Sequence, residues 1–150
     1  MSTRINLGKA LPNLYQAVAG LDKSAASALA DAGVESGFSH LIALRVSQIN
    51  QCAYCVRMHT RDALAAGETT DRIAVLPAWR ESGYFSDKER AALEMVEAVT
   101  FISDVQFADK AYEKVAVHLS SSEIAAIAWK VIVVNAWNRI AISSRYEVGP

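Results

Sequence analysis

Apolar positions recur at spacings of three and four along most of the chain. Phe38, Leu41, Ile42, Val46 and Ile49, with Arg45 in the same series, outline an amphipathic helix with its apolar stripe turned inward. Ser86-Asp87-Lys88-Glu89 reads as a capping box that opens a second such stripe at Leu93, Val96 and Val99. Ser120-Ser121-Ser122-Glu123 repeats the device before the most apolar segment, Ile124 to Ile142. Lys130, Asn135, Asn138 and Arg139 interrupt that segment. A membrane span would have to bury them at several kcal/mol, so the segment reads as a core or interface helix.

The remaining elements follow from local signals. Residues 1–20 read as an irregular start with a short helix after Pro12. Asp22 caps a second helix that stops near Gly33, a residue suited to a left-handed terminus. Thr69 or Thr70 opens a helix toward Trp79, interrupted at Pro77, and a further helix covers 107–119. With no linker, low-complexity tract or internal repeat, residues 1–150 form one compact all-α domain.

Composition adds two points. Hydrophobic residues are 52% of the chain and charged residues 21%, more apolar face than a monomer of this size needs, which points to a homo-oligomer. A net charge of −1 with a pI near 6.3 leaves no basic footprint for nucleic acid. No unbroken apolar stretch or small-residue cleavage site follows Arg4, so the reading is of a cytoplasmic chain without a signal peptide. In that compartment two cysteines three apart indicate redox or metal chemistry rather than a structural disulfide framework.

Those cysteines lie in Asn50-Gln51-Cys52-Ala53-Tyr54-Cys55-Val56-Arg57-Met58-His59. Asn50 is a good N-cap, which predicts a helix from Gln51 to Gly67 with Cys52 in its first turn. Residues three apart on a helix hold their β-carbons roughly 5–6 Å apart, whereas a disulfide needs about 3.8 Å, so the pair closes only where the helix distorts. The spacing fits a disulfide that forms and breaks, and equally two metal thiolates.

The helix N-terminus favours a thiolate by roughly 0.3–1 kcal/mol, under one pKa unit, so the dipole alone does not activate a thiol. His59 follows Cys55 by four residues and Cys52 by seven, which sets all three on one face with the imidazole nearer Cys55. A neutral imidazole there can take the thiol proton. That makes Cys55 the activated sulfur and Cys52 its partner, although in thioredoxin-type motifs the first cysteine attacks and the roles are exchanged.

The run Leu44-Arg45-Val46-Ser47-Gln48-Ile49-Asn50-Gln51-Cys52-Ala53-Tyr54-Cys55-Val56-Arg57-Met58-His59-Thr60 resembles the core motif of the alkylhydroperoxidase AhpD-like proteins, within the carboxymuconolactone decarboxylase family. Glu89-Arg90-Ala91-Ala92-Leu93-Glu94 and Asn135-Ala136-Trp137-Asn138-Arg139 resemble later segments of the same family. The resemblance implies an all-α fold assembling as trimers or hexamers and a thiol peroxidase. In it Cys55 reacts with the peroxide, Cys52 resolves the product as a disulfide, and His59 relays protons. It further implies electrons from an external dithiol or a lipoylated protein, a peroxiredoxin as client, and no organic cofactor.

Two positions depart from the family pattern. A glutamate is common twelve residues before the first cysteine, where this chain has His40; a histidine can join the relay but supplies no fixed negative charge. Tyr54 stands where some members have a histidine, and its hydroxyl is a candidate hydrogen-bond donor to substrate. Family members that act as the decarboxylase lack the cysteine pair, so its presence argues against that reaction.

Two alternatives compete with the peroxidase. Cys52, Cys55, His59 and His40 make a possible four-ligand zinc set, which would fit a non-catalytic metal-binding or redox-sensing module. A family scaffold acting on another small molecule is the third reading. Trp79, Trp129 and Trp137 read as apolar anchors, and no glycine-rich phosphate loop is present.

Overall fold

The computed structural model describes residues 3–150, and among them there are helices and no strands. The elements are α1 (Leu7–Ala10), α2 (Pro12–Asp31), α3 (Ser36–Ile49), α4 (Ala53–Ala65) and α5 (Thr70–Val75), then a 3-10 turn, Leu76–Glu81. After it come α6 (Asp87–Thr100), α7 (Ile102–Val105), α8 (Asp109–His118) and α9 (Ser121–Ser143). The all-α expectation holds. Both predicted capping boxes form, with Ser86 and Glu89 exchanging side-chain and backbone bonds at α6 and Ser120 and Glu123 doing so at α9. Thr69 rather than Thr70 caps α5, and Pro77 tightens the chain into the 3-10 turn.

α3 is the centre of the molecule. It packs against α4, α6 and α9, and Leu41, Ile42, Ala43, Leu44, Val46 and Ser47 are all inaccessible. The expected one-sided stripe is therefore too narrow, because neighbours on three sides bury Ala43 and Leu44 as well. Arg45 escapes by reaching Glu97 of α6 through Nε at 3.1 Å and Nη2 at 3.0 Å. α9 lies along α2, α3 and α6 and buries Ile127, Val131, Val133 and Val134, while Trp129 and Ile132 stay exposed on its outer side. By length and composition α9 is apolar enough to cross a membrane, but half of that apolar window is buried inside the fold.

Three boundaries differ from the sequence expectation. Residues 12–31 form one continuous helix instead of two, with Pro12 in the first turn; of the irregular start expected for 1–20, residues 1 and 2 lie outside the described residues. Asp22 caps nothing: its Oδ1 accepts from Lys130 Nζ at 3.0 Å, a tertiary partner that outweighs its local capping preference. The helix expected over 107–119 begins at Asp109, because Gln106 and Phe107 take positive φ values of 51° and 42°.

The third difference sets the site. Asn50 does not cap the following helix; it ends α3, with its backbone N–H donating to Val46. Its side-chain amide instead donates to Asn135 Oδ1 and Asn138 Oδ1 of α9, both at 2.9 Å. Asn138 donates onward to Ser47 Oγ at 3.0 Å, and Ser47 donates to Ala43 O at 2.9 Å. Asn138 and Ser47 are fully buried, so each hydrogen bond replaces one that water would otherwise supply. Replacing Asn138 by Ala would leave the Ser47 hydroxyl and the Asn50 amide short of a partner. We expect Asn138→Ala to lower stability by about 1–3 kcal/mol in urea denaturation, and Asn138→Leu to lose at least as much.

Candidate active site

The end of α3 determines where the cysteines stand. Gln51 N–H donates to Gln48 O at 3.1 Å and Cys52 N–H to Ser47 O at 3.0 Å, the paired bonds of a Schellman stop. Gln51 sits at φ 56°, a left-handed conformation that usually falls to glycine and costs other residues roughly 1–2 kcal/mol. Gly33 and Gly67 fill the equivalent place after α2 and α4, at φ 82° and 93°. The chain leaves this stop extended, and Cys52, at φ −84° and ψ 95°, becomes the N-cap of α4.

Cys52 therefore lies outside the helix and Cys55 inside it, with Cα atoms 5.3 Å apart and the two sulfurs joined as a disulfide. Cys52 Sγ accepts from the Cys55 backbone N–H at 3.3 Å, the capping role expected of Asn50. The distortion needed to close the pair is thus built into the helix start, which falls two residues later than anticipated. Cys52 is 1% exposed and Cys55 2%, and they pack with Ala141, Tyr54 and Tyr146 in a small cluster separate from the main core.

Two cavities meet this cluster from different sides. One, of about 190 Å³, is lined by Cys55, His59, Tyr54, Lys130, Tyr15 and Trp137. The other, of about 160 Å³, is lined by Cys52, Tyr54, Arg145, Tyr146 and Val148. Tyr54 borders both, its ring edge-on to Tyr146 with centroids 5.1 Å apart. The imidazole is on the Cys55 side, as the spacing of four residues predicts, and Cys52 does not line that cavity.

His59 is 7% exposed, and neither ring nitrogen meets a hydrogen-bond partner among the described residues. Its pKa is lowered from 6.5 to about 4, first by desolvation and then by the Lys130 ammonium and His40, against the opposing pull of Asp62 and Asp22. At neutral pH it is an uncharged imidazole. With the pair oxidised, His59 is thus a neutral acceptor, the form in which an imidazole can take a thiol proton.

His40, on α3, is brought to His59 and Asp62, on α4, so that one donor atom from each lies within 4.8 Å of the others. The zinc set anticipated from sequence is regrouped. The cysteines are bonded to each other, and the histidines stand with a carboxylate. Sequence reasoning missed Asp62, Lys130 and Tyr146. Asp62 falls three residues after His59 on the same helical face, and Lys130 is a charge set in the middle of a long apolar run, so both carried a signal; Tyr146 lies beyond the last helix and carried none.

Comparison with known proteins places the chain. The model of the Carboxymuconolactone decarboxylase family matches residues 12–98, more than half of the sequence. The uncharacterised protein YdfG of Bacillus subtilis is 42% identical over 103 residues, covering 69% of this chain and 70% of that one. The uncharacterised protein YnjA of Escherichia coli is 33% identical over 60 residues, 40% of this chain and 33% of its own length. A crystal structure from Agrobacterium tumefaciens, described as a protein of unknown function and a candidate antioxidant defence protein AhpD, superposes with a TM-score of 0.90 at 39% identity over 99% of both chains. The helical architecture is thus that of a known lineage: the chain belongs to the carboxymuconolactone decarboxylase family and has the AhpD-like fold.

Proposed function

We propose that the protein is a thiol-dependent peroxidase acting in antioxidant defence. The observation that carries this reading is that Cys55, half of a Cys-x-x-Cys disulfide, shares a cavity with a buried neutral imidazole, whereas Cys52 faces elsewhere. In the reduced protein His59 accepts the Cys55 proton, directly or through water, and the thiolate attacks the terminal oxygen of a hydroperoxide. The O–O bond breaks, the alcohol leaves with a proton, and Cys55 becomes a sulfenic acid. Cys52 then attacks that sulfur, water leaves, and the disulfide forms. An external dithiol, free or carried as a lipoyl group on a protein, resets the pair by thiol–disulfide exchange and is itself oxidised.

A thiolate at Cys55 would raise the basicity of His59 by its charge, so the imidazole gains its proton as the sulfur loses one. His40, with a ring nitrogen within 4.8 Å of one on His59, joins this exchange, and Tyr54 lines the cavity. The similarity to the Agrobacterium protein supports the antioxidant role. The exposed Trp129 and Ile132 of α9 support assembly into trimers or hexamers, and a reducing cytoplasm suits a disulfide that must be reset.

Reduced, metal-free protein treated with one equivalent of cumene hydroperoxide should lose both thiols within seconds. The tryptic peptide 46–57 should lose about 2 Da, recovered with dithiothreitol. Cys52→Ser should accumulate a dimedone-reactive sulfenic acid at Cys55, Cys55→Ser should not react, and His59→Gln should slow oxidation by about 10²-fold or more. Intact thiols after peroxide treatment would overturn the reading.

Burial of neutral His59 also links stability to pH. The unfolded chain binds a proton at His59 below pH 6.5 and the native oxidised protein only near pH 4, so stability is complete above 6.5 and declines as pH falls between these values. Urea denaturation should show a loss on the order of 2 kcal/mol from this group between pH 7.5 and pH 5. His59→Leu should remove that part of the pH dependence.

A further inference from the structure

We propose that His40, His59 and Asp62 form a site for a divalent transition-metal ion, with zinc the best match, independent of the two cysteines. The three residues come from two helices that pack directly on one another, and a donor atom of each lies within 4.8 Å of the others. His59 and Asp62 are three apart on α4, so one turn presents both toward His40. Tetrahedral zinc, with bonds of about 2.0–2.2 Å, holds two ligand atoms roughly 3.3–3.6 Å apart, so binding would draw the three side chains together by up to about an ångström.

Two imidazoles and one carboxylate form a set with an open position for water, chemistry that suits zinc and other first-row divalent ions and not calcium or magnesium. The second, independent observation is His59 itself. Its ring nitrogens are both buried and both without a partner, an arrangement that ordinarily costs free energy and that a metal ion relieves at one nitrogen.

The surrounding charges are compatible with a cation. Lys130 is the ammonium that faces His59, and it is engaged by Asp22 at 3.0 Å. The carboxylates of Asp22 and Asp62 outnumber that one ammonium.

Metal binding would use the lone pair that His59 needs to accept a proton, so occupation of the site and proton relay exclude one another. The ion site nevertheless stands without the peroxidase reading, since none of its donors is a sulfur.

The test uses the full chain, stripped with EDTA and titrated with zinc chloride or cobalt chloride by calorimetry and equilibrium dialysis. We expect one ion per chain and, with cobalt, visible absorption bands lacking a thiolate charge-transfer component. The double variant Cys52→Ser/Cys55→Ser should bind as the native protein does. Asp62→Asn and His40→Gln, at positions that are not buried, should each weaken binding by at least about tenfold, with unchanged far-ultraviolet circular dichroism showing that they fold. The proposal is overturned by absence of binding at hundred-micromolar metal. It is equally overturned if affinity survives in Asp62→Asn and His40→Gln but is lost with the cysteines, which would assign the ion to thiolates.

Discussion

The buried amide cluster between α3 and α9 is the constraint on which the site depends. Asn50 has two amide protons and sends one to Asn135 and one to Asn138, while Asn138 holds Ser47 from the other side. These bonds fix the last turn of α3 at the residues whose carbonyls, Ser47 and Gln48, receive the N–H groups of Cys52 and Gln51. An apolar contact would have left the turn free to slide by a residue, and such a slide would carry Cys52 into the helix, where the pair cannot close. A polar network tolerates only one register, because a shifted one leaves buried donors unpaired. Directional bonds in the core thus decide where a sulfur stands in the site.

The same geometry accounts for the strained residue beside the cysteines. Of the four helices that end in a Schellman stop, α2 and α4 use glycine at the left-handed position, whereas α3 uses Gln51 and α9 uses Arg145, at φ 56° and 53°. Both non-glycine stops line the cavity on the Cys52 side, and the residue after each, Cys52 and Tyr146, turns into the same small cluster. Among these Schellman stops the cost of the left-handed backbone falls at the two that build the pocket and the glycine stops remote from it are relaxed, although Gln106 and Phe107 are also left-handed and lie away from it.

Much of this was legible in the chain and the illegible parts share a cause. Ser86 with Glu89, Ser120 with Glu123, and Gly33 act within a few residues of themselves, so their local pattern suffices. The four-residue step from Cys55 to His59 is equally local and correctly set the imidazole on the Cys55 side. Asn50 and Asp22 misled because each has a good local role and a better distant one, Asn138 at 88 positions away and Lys130 at 108. Nothing in a single sequence weighs those long-range bonds against a cap. Asp62 became visible as part of a group only when α3 and α4 were packed and His40 stood opposite it.

The two cavities give the disulfide a direction. A thiol that resets it attacks one sulfur while the other leaves as a thiolate, and the better-stabilised thiolate leaves faster. If Cys55 leaves, its charge appears in the cavity lined by Lys130 and beside an imidazole able to take a proton. If Cys52 leaves, its charge is met by the N-terminus of α4 and by Arg145 across the cavity on its own side, with no proton-accepting side chain among the residues that line it. In the proposed cycle, attack on Cys52 from the cavity that holds Tyr146 and Val148 would therefore return Cys55 to its starting state in one step, with its proton acceptor already in place. The asymmetry arises from a single backbone choice: placing one cysteine on the cap and the other in the first turn points the two sulfurs into different spaces.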